Sequence, residues 1–118
     1  MSVITPTITY APNGHRQLVH VVWAALANGD TGALVELPSY SDGSVQIEGA
    51  AFGGGTLTMQ ATNDGTNYQT MTDPQGNDIA KTAADLEQLT EIARYIRPSL
   101  SGGAAGAVTV TLIARRTP

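Results

Sequence analysis

The sequence contains no cysteine, which excludes disulfide bonds, cysteine nucleophiles and cysteine-based metal sites. Charged residues are also scarce, at 14% of 118 positions, and the formal net charge is −4. A nucleic-acid-binding surface needs clustered lysine and arginine, so we expect no nucleic-acid partner. Because charges are so few, threonine, serine, asparagine, glutamine and glycine must cover most of the surface. Such a surface is typical of a β-sandwich or of a protein that is buried in an assembly.

Long apolar runs are missing as well. The longest covers residues 19–27, far short of the roughly 20 residues that a membrane-spanning helix needs. We therefore expect no membrane partner. Residues 1–6 do not combine a basic region with an apolar run, so we expect no secretory signal peptide. On this interpretation the protein is made in the cytoplasm of its host and leaves by lysis or assembly.

What the sequence does contain is a series of short strand patterns separated by turns. The clearest lies between Gly55 and Asp78, where apolar and polar residues alternate over residues 57–61 and the turn Asn63-Asp64-Gly65 follows. Glycine tolerates positive φ, and Asn and Asp side chains bond the local backbone, so this turn predicts a hairpin. Further strand patterns cover residues 20–26, 33–37, 44–48, 68–72 and 107–115.

About seven or eight short strands with a turn roughly every ten residues are typical of an antiparallel β-sandwich. We expect a single all-β domain of this kind, jelly-roll-like in layout, over residues 18–118. Residues 1–17 contain Pro6 and Pro12, which restrict the hydrogen bonding of a strand ladder. This segment is therefore predicted to be an extended N-terminal arm.

One segment has a different periodicity. Leu86, Leu89 and Ile92 recur every three residues, which is a helical spacing. The preceding motif Thr82-Ala-Ala-Asp85 has the form of a capping box. The spacing therefore predicts one short helical segment near residues 82–92.

No pattern in the sequence predicts a catalytic or metal-binding site. His15 and His20 are the only histidines, and no carboxylate stands at a spacing that would complete a metal site with them. Most acidic residues fall in predicted turns, where Asp bonds the backbone, or on the predicted helix. A serine triad lacks the nucleophile-elbow pattern, and the Asn63-Asp64-Gly65 turn lacks the acid density of a calcium loop. We expect no enzymatic activity, no metal and no cofactor.

Arginine and tyrosine stand together near the end of the chain. On a strand, Arg97 would share a face with Tyr95, while Arg94 would lie on the other face. Arginine beside aromatic and apolar groups is a frequent interface anchor. It is equally typical of a side chain whose stem covers the edge of a core while its charge stays hydrated. The candidate interface residues are Arg94, Arg97, Tyr68 at a strand start, and Tyr10 and Pro12 in the predicted arm.

Two segments carry a resemblance to known families. One is Thr56-Leu-Thr-Met-Gln-Ala-Thr-Asn-Asp-Gly-Thr-Asn-Tyr68, and the other is Ala93-Arg-Tyr-Ile-Arg-Pro98 before a final strand. This layout resembles discoidin-like and related carbohydrate-binding jelly-roll domains, with Tyr68 where those families usually have tryptophan. The resemblance covers about the second half of the chain and implies a fold more than a ligand.

The chain as a whole is short, rich in Gly, Thr and Ala, and ends in Arg-Arg-Thr-Pro. In this it is more similar to the capsid decoration, or cement, proteins of tailed bacteriophages. That resemblance implies a virion protein on the capsid surface, bound to the major capsid protein as a homo-oligomer, either a dimer or a trimer. Two alternatives stay open. One is a carbohydrate-binding or adhesin module that holds a surface glycan near Tyr68 and Tyr95, and the other is a tail or neck subunit.

Overall fold

The structure is a computed structural model that describes residues 2–11, 18–36, 40–91, 93–102 and 106–116. Every helix or strand assigned in these residues is a β-strand, so the all-β expectation is confirmed. The strands are β1 (Val3–Ile4), β2 (Thr7–Ala11), β3 (Leu18–Leu26), β4 (Thr31–Gly32), β5 (Val35–Glu36), β6 (Tyr40–Ala51), β7 (Thr56–Thr62), β8 (Gln69–Thr70), β9 (Ala80–Lys81), β10 (Asp85–Leu89), β11 (Tyr95–Ser101) and β12 (Ala107–Arg116).

The strands form two sheets that share one core, as in a β-sandwich. The five-stranded sheet has the order β10-β6-β12-β3-β2. The seven-stranded sheet has the order β1-β4-β11-β7-β8, with β5 beside β11 and β9 beside β7. Strand β12 lies at the centre of its sheet, and its alternation follows the predicted pattern. Its buried side chains, which face the core, are Val108, Val110, Leu112 and Ala114.

Trp23 joins the two sheets. Its side chain is fully buried, and its indole Nε1 donates a hydrogen bond to the carbonyl oxygen of Ala33 at 3.0 Å. The ring lies against Gly32 of the opposite sheet, where an added Cβ would stand 2.5 Å from both Trp23 and Pro98. Glycine is therefore required at this position so that the indole can reach across the core.

The N-terminal segment contributes a strand to each sheet. β1 pairs parallel with β4 in the seven-stranded sheet, and β2 pairs antiparallel with β3 in the five-stranded sheet. The link between them, Thr5-Pro6, therefore crosses from one sheet to the other. Asp30 holds the start of the segment, because its buried carboxylate accepts hydrogen bonds from the backbone N–H groups of Ser2 and Ala27, each at 2.9 Å. The rest of the predicted arm, from Pro12 to residue 17, lies outside the described residues.

The helix predicted near residues 82–92 is wrong. Residues 85–89 form β10, which pairs antiparallel with β6 from Asp85↔Ile47 to Leu89↔Gly43. Leu86 is 63% exposed while Leu89 is buried, so these two leucines do not share an apolar face. A helix this short is marginal in water, whereas the ladder with β6 provides hydrogen-bond partners for the backbone. Ile92 lies outside the described residues.

A β-bulge interrupts β3. The register pairs Trp23 with Val110 and Leu26 with Val108, so two alanines of β3 oppose the single residue Thr109. Ala25 takes the left-handed conformation, with φ of 56°, and its N–H donates to Thr109 Oγ1 at 3.1 Å. The bulge turns Leu26 into the core, where strict alternation would have placed Ala25.

The bulge predicts an unusual order of stability among variants at residue 25. Left-handed backbone costs an L-residue roughly 1–2 kcal/mol, and glycine avoids that cost at an entropic penalty of about 0.5–1 kcal/mol. We expect Ala25→Gly to leave the free energy of unfolding unchanged or to raise it by up to about 1 kcal/mol. Ala25→Val should lower it by more than about 1 kcal/mol, because β-branched residues are rare at positive φ.

Chemical denaturation measures both effects, and Ala24→Val at the neighbouring exposed position is the matched control. If the Ala25→Val variant were as stable as the Ala24→Val control, the bulge geometry would be contradicted.

Candidate functional site

The outer face of the seven-stranded sheet is a polar surface. β7 and β11 turn alternate residues into the core, and the residues between them point outward. The register sets Arg97 opposite Gln60 and Ser99 opposite Thr58, so these side chains form two neighbouring rows on that face. An amide and several hydroxyls therefore surround one arginine.

Arg97 and Tyr68 form the centre of this surface. The guanidinium carbon of Arg97 lies 3.8 Å from the centroid of the Tyr68 ring, within the range of a cation–π contact. Its Nε donates to Gln60 Oε1 at 2.9 Å. Both Arg97 and Tyr68 are half-buried. No salt bridge joins Arg97 to a carboxylate within the described part of the chain, so its terminal nitrogens are available to donate outward. We call Tyr68, Arg97 and Gln60 the Tyr68–Arg97 cluster.

Arg94 lies beside this cluster in a different environment. It forms an exposed salt bridge with Glu36 at 2.7 Å, and its guanidinium carbon is 5.0 Å from the Tyr95 ring centroid. The hydrogen bond that it donates to Glu36 is the main cause that raises the pKa of Arg94. An exposed pair of this kind adds little stability. Arg94 also fixes the adjoining loop, because its backbone N–H donates to Asn63 Oδ1 at 2.9 Å.

The loop that carries Tyr68 is held by Asp64. The Asp64 carboxylate accepts hydrogen bonds from the N–H groups of Thr66 and Asn67, each at 2.8 Å, and from the Thr62 hydroxyl at 2.9 Å. Gly65 takes φ of 80°, as the predicted turn requires. These bonds, the backbone bond from Asn67 first, hold the pKa of Asp64 well below its usual range. The carboxylate therefore builds the turn that presents Tyr68.

An open depression of about 230 Å³ lies beside the same loop. Its rim includes the amides of Asn63, Asn67 and Gln69 and the carboxylate of Glu91. Glu91 is already engaged, since it accepts a hydrogen bond from the Thr72 N–H at 2.8 Å. Ala61 and Ala93 also line the depression, so it combines polar and apolar groups.

The structure brings together some of the predicted interface residues and separates others. Tyr68 and Arg97 are in contact, and Arg94 is bonded to Asn63 at the start of the loop that carries Tyr68. Tyr10 lies on β2 in the other sheet. Pro12 lies outside the described residues. Gln60 was not predicted as an interface residue, although the alternation of β7 already marks it as an outward residue.

In the described ranges no group of three or more His, Cys, Asp or Glu residues is placed to hold a metal ion. Those ranges also contain no helix long and apolar enough to span a membrane.

The environment of Asp64 predicts a pH-dependent loop. Its folded-state pKa is depressed, so its stabilising bonds are present above the unfolded value of about 3.9 and are lost as the pH falls below it toward the folded value. We expect NMR titration to find Asp64 ionised at about pH 3, where an ordinary Asp is mostly protonated.

Asn67→Ala should raise the pKa of Asp64 partway, because it removes one donor, the Asn67 side chain at 2.9 Å, and keeps the backbone donors. An ordinary titration of Asp64 in the unmodified protein would contradict this description of the loop.

Comparison with known proteins adds little. No protein-family model matches the sequence, and no curated protein matches it. Among solved structures, the chain is similar to the crystal structure of peruvianin-I, a cysteine peptidase from Thevetia peruviana latex, with a TM-score of 0.48 and 12% identity. The match covers 96% of this chain and 63% of the peptidase chain, which is less than two thirds of it. A similarity this weak carries no functional inference.

Proposed function

We propose that this protein is a structural virion protein, a decoration protein that binds the outside of a phage head as a homo-oligomer and stabilises the lattice of the major capsid protein. The observation that supports the proposal most is an apolar strip on the outer face of the five-stranded sheet. Leu18 and Val22 of β3 point outward there on either side of His20, and the register sets Ile113 of β12 opposite His20. Leu18 is 37% and Ile113 is 38% exposed. We call Leu18, Val22 and Ile113 the outer strip.

The outer strip has the properties expected of a sheet face that docks on another protein. β3 is mainly apolar on both faces, with His20 as the exception on the outer one, and such a pattern is typical of a strand covered on each side. Its inner face packs in the core, and no described element covers its outer face. Exposed apolar side chains that cluster on one face mark interaction surfaces more often than scattered ones do. The outward residues near Ile113, which are Thr111, Ser44 and Gln46, are uncharged. Arg115 lies opposite Leu18 and forms an exposed salt bridge with Asp42, so the strip ends beside one charged pair. Docking centred on Ile113 would therefore desolvate few charges.

A jelly-roll-like sandwich with such a face suits a lattice. Stable interfaces bury about 800 Å² on each partner. A sheet face held by strand pairing can present that area without the cost of ordering flexible loops. This is the physical basis on which we favour capsid decoration over an enzyme.

Binding to capsids tests the proposal. Purified heads that lack the protein should bind it in co-sedimentation and should then resist heat better than bare heads. Ile113→Glu should weaken binding at least about tenfold, since it places a charge in the outer strip. Thr58→Glu, on the outer face of the other sheet, is the matched control and should bind as the unmodified protein does. Failure of the unmodified protein to bind any head would contradict the proposal.

A second function is favoured by the Tyr68–Arg97 cluster. Sugar-binding surfaces combine aromatic rings with amide, hydroxyl and guanidinium donors on a rigid support. Tyr68, Arg97 and Gln60 supply the ring, the guanidinium and the amide, and Thr58 and Ser99 add aliphatic hydroxyls. The alternative is therefore a carbohydrate-binding module that holds a surface glycan.

A glycan array decides between the two functions. Under the alternative, the protein binds specific glycans, and Tyr68→Ala lowers that binding at least about tenfold because it removes the ring that supports Arg97. Ile113→Glu leaves glycan binding unchanged, since the outer strip belongs to the other sheet. An array without signal would contradict the alternative.

A further inference from the structure

The free edges of the five-stranded sheet are protected to very different degrees. At one edge, β10 carries Asp85 and Glu87, and Lys81 of the other sheet lies 2.9 Å and 2.6 Å from their carboxylates. Charges on an edge strand prevent another chain from pairing with it. The opposite edge, β2, has the sequence Thr-Ile-Thr-Tyr-Ala and carries no charge. Among the described strands only β3 pairs with β2, and none of them lies along its second side.

The sequence of β2 is suited to pairing with itself. Thr9 is its central residue, and Pro6 and Pro12 each stand three positions from Thr9 in the chain. In an antiparallel pair of two copies centred on Thr9, Ile8 would lie opposite Tyr10 of the partner subunit. Proline has no backbone N–H, so neither Pro6 nor Pro12 can donate a hydrogen bond to such a ladder. The prolines therefore limit the ladder to residues 7–11 and favour this one register.

The side chains near β2 also leave apolar surface to cover. Ile8 pairs with Val21 and so points to the core side of the sheet, yet it is 45% exposed because it stands at the edge. Tyr10 lies on the same side and packs against the core. Val3, on the adjoining edge strand β1, is 67% exposed. A second copy at the β2 edge would extend the core with Ile8.

We infer that two copies of this chain pair through β2, antiparallel and centred on Thr9, so that their five-stranded sheets join into one continuous sheet across a two-fold axis. This inference specifies the homo-oligomer in the proposed function as a dimer and names its interface. It is independent of the outer strip, which lies on a sheet face and stays accessible in the dimer. Dimer formation and capsid binding can therefore fail separately.

A cysteine placed on the two-fold axis tests the register. The natural chain has no cysteine, so a single introduced one gives an unambiguous signal. Directly opposed residues of antiparallel strands have Cα atoms about 4.5–5.5 Å apart, within the range that a disulfide bridges. Thr9→Cys should form a disulfide-linked dimer under mild oxidation. Gln88→Cys, exposed on the protected edge β10, should stay monomeric on a non-reducing gel. Equal crosslinking of the two variants, or none in either, would overturn the inference.

Light scattering of the full chain tests the interface without crosslinking. The unmodified protein should have twice the monomer mass, and Ile8→Lys should abolish the dimer because it sets a charge in the paired face. Leu86→Lys, on the opposite edge, is the control that should remain dimeric. Circular dichroism shows whether each variant is folded. A monomeric or trimeric unmodified protein would overturn the inference, as would a folded Ile8→Lys variant that stays dimeric. Neither result bears on whether the protein binds capsids.

Discussion

The contact of Trp23 with Gly32 is the constraint on which the rest of the structure depends. The indole crosses from the five-stranded sheet, and only a residue without a side chain leaves room for it. The indole Nε1 donates a hydrogen bond to the Ala33 carbonyl oxygen, so the one polar atom of the ring is not left buried without a partner. The contact sets how closely β3 approaches β4, and β4 in turn holds β1. The place where the N-terminal segment crosses between sheets therefore follows from the packing of one large side chain.

That crossing makes the two sides of the sandwich different. On one side the sheets are tied by polar contacts, with Lys81 reaching Asp85 and Glu87 across the gap. On the other side, β1 and β2 end the two sheets with uncharged residues. A charged edge resists association and an uncharged edge permits it. Together with the outer strip on one sheet face and the Tyr68–Arg97 cluster on the other, this asymmetry gives each candidate interaction its own surface.

Much of the fold could be predicted from local sequence pattern, and the failures have a common cause. Alternation predicted the strands around Leu57 and Val110, and turn chemistry predicted the role of Asp64, because both are local properties. The helix near residues 82–92 was wrong because pairing with β6, some forty residues away in the chain, outweighs a three-residue periodicity. The stacking of Arg97 on Tyr68 depends on strand register and on the path of a loop. The sequence around Arg97 and around Tyr68 indicated that each is an interface residue. It could not show that the two side chains are in contact.

Our central proposal is that this sandwich is a structural part of a phage particle. Electron cryomicroscopy of virions from a phage whose genome encodes this chain tests the proposal most directly. The account predicts density for the two-sheet fold on the outside of the head lattice, with the outer strip facing the major capsid protein. Absence of the chain from purified virions, or its density at the tail, the neck or a fibre, would contradict capsid decoration.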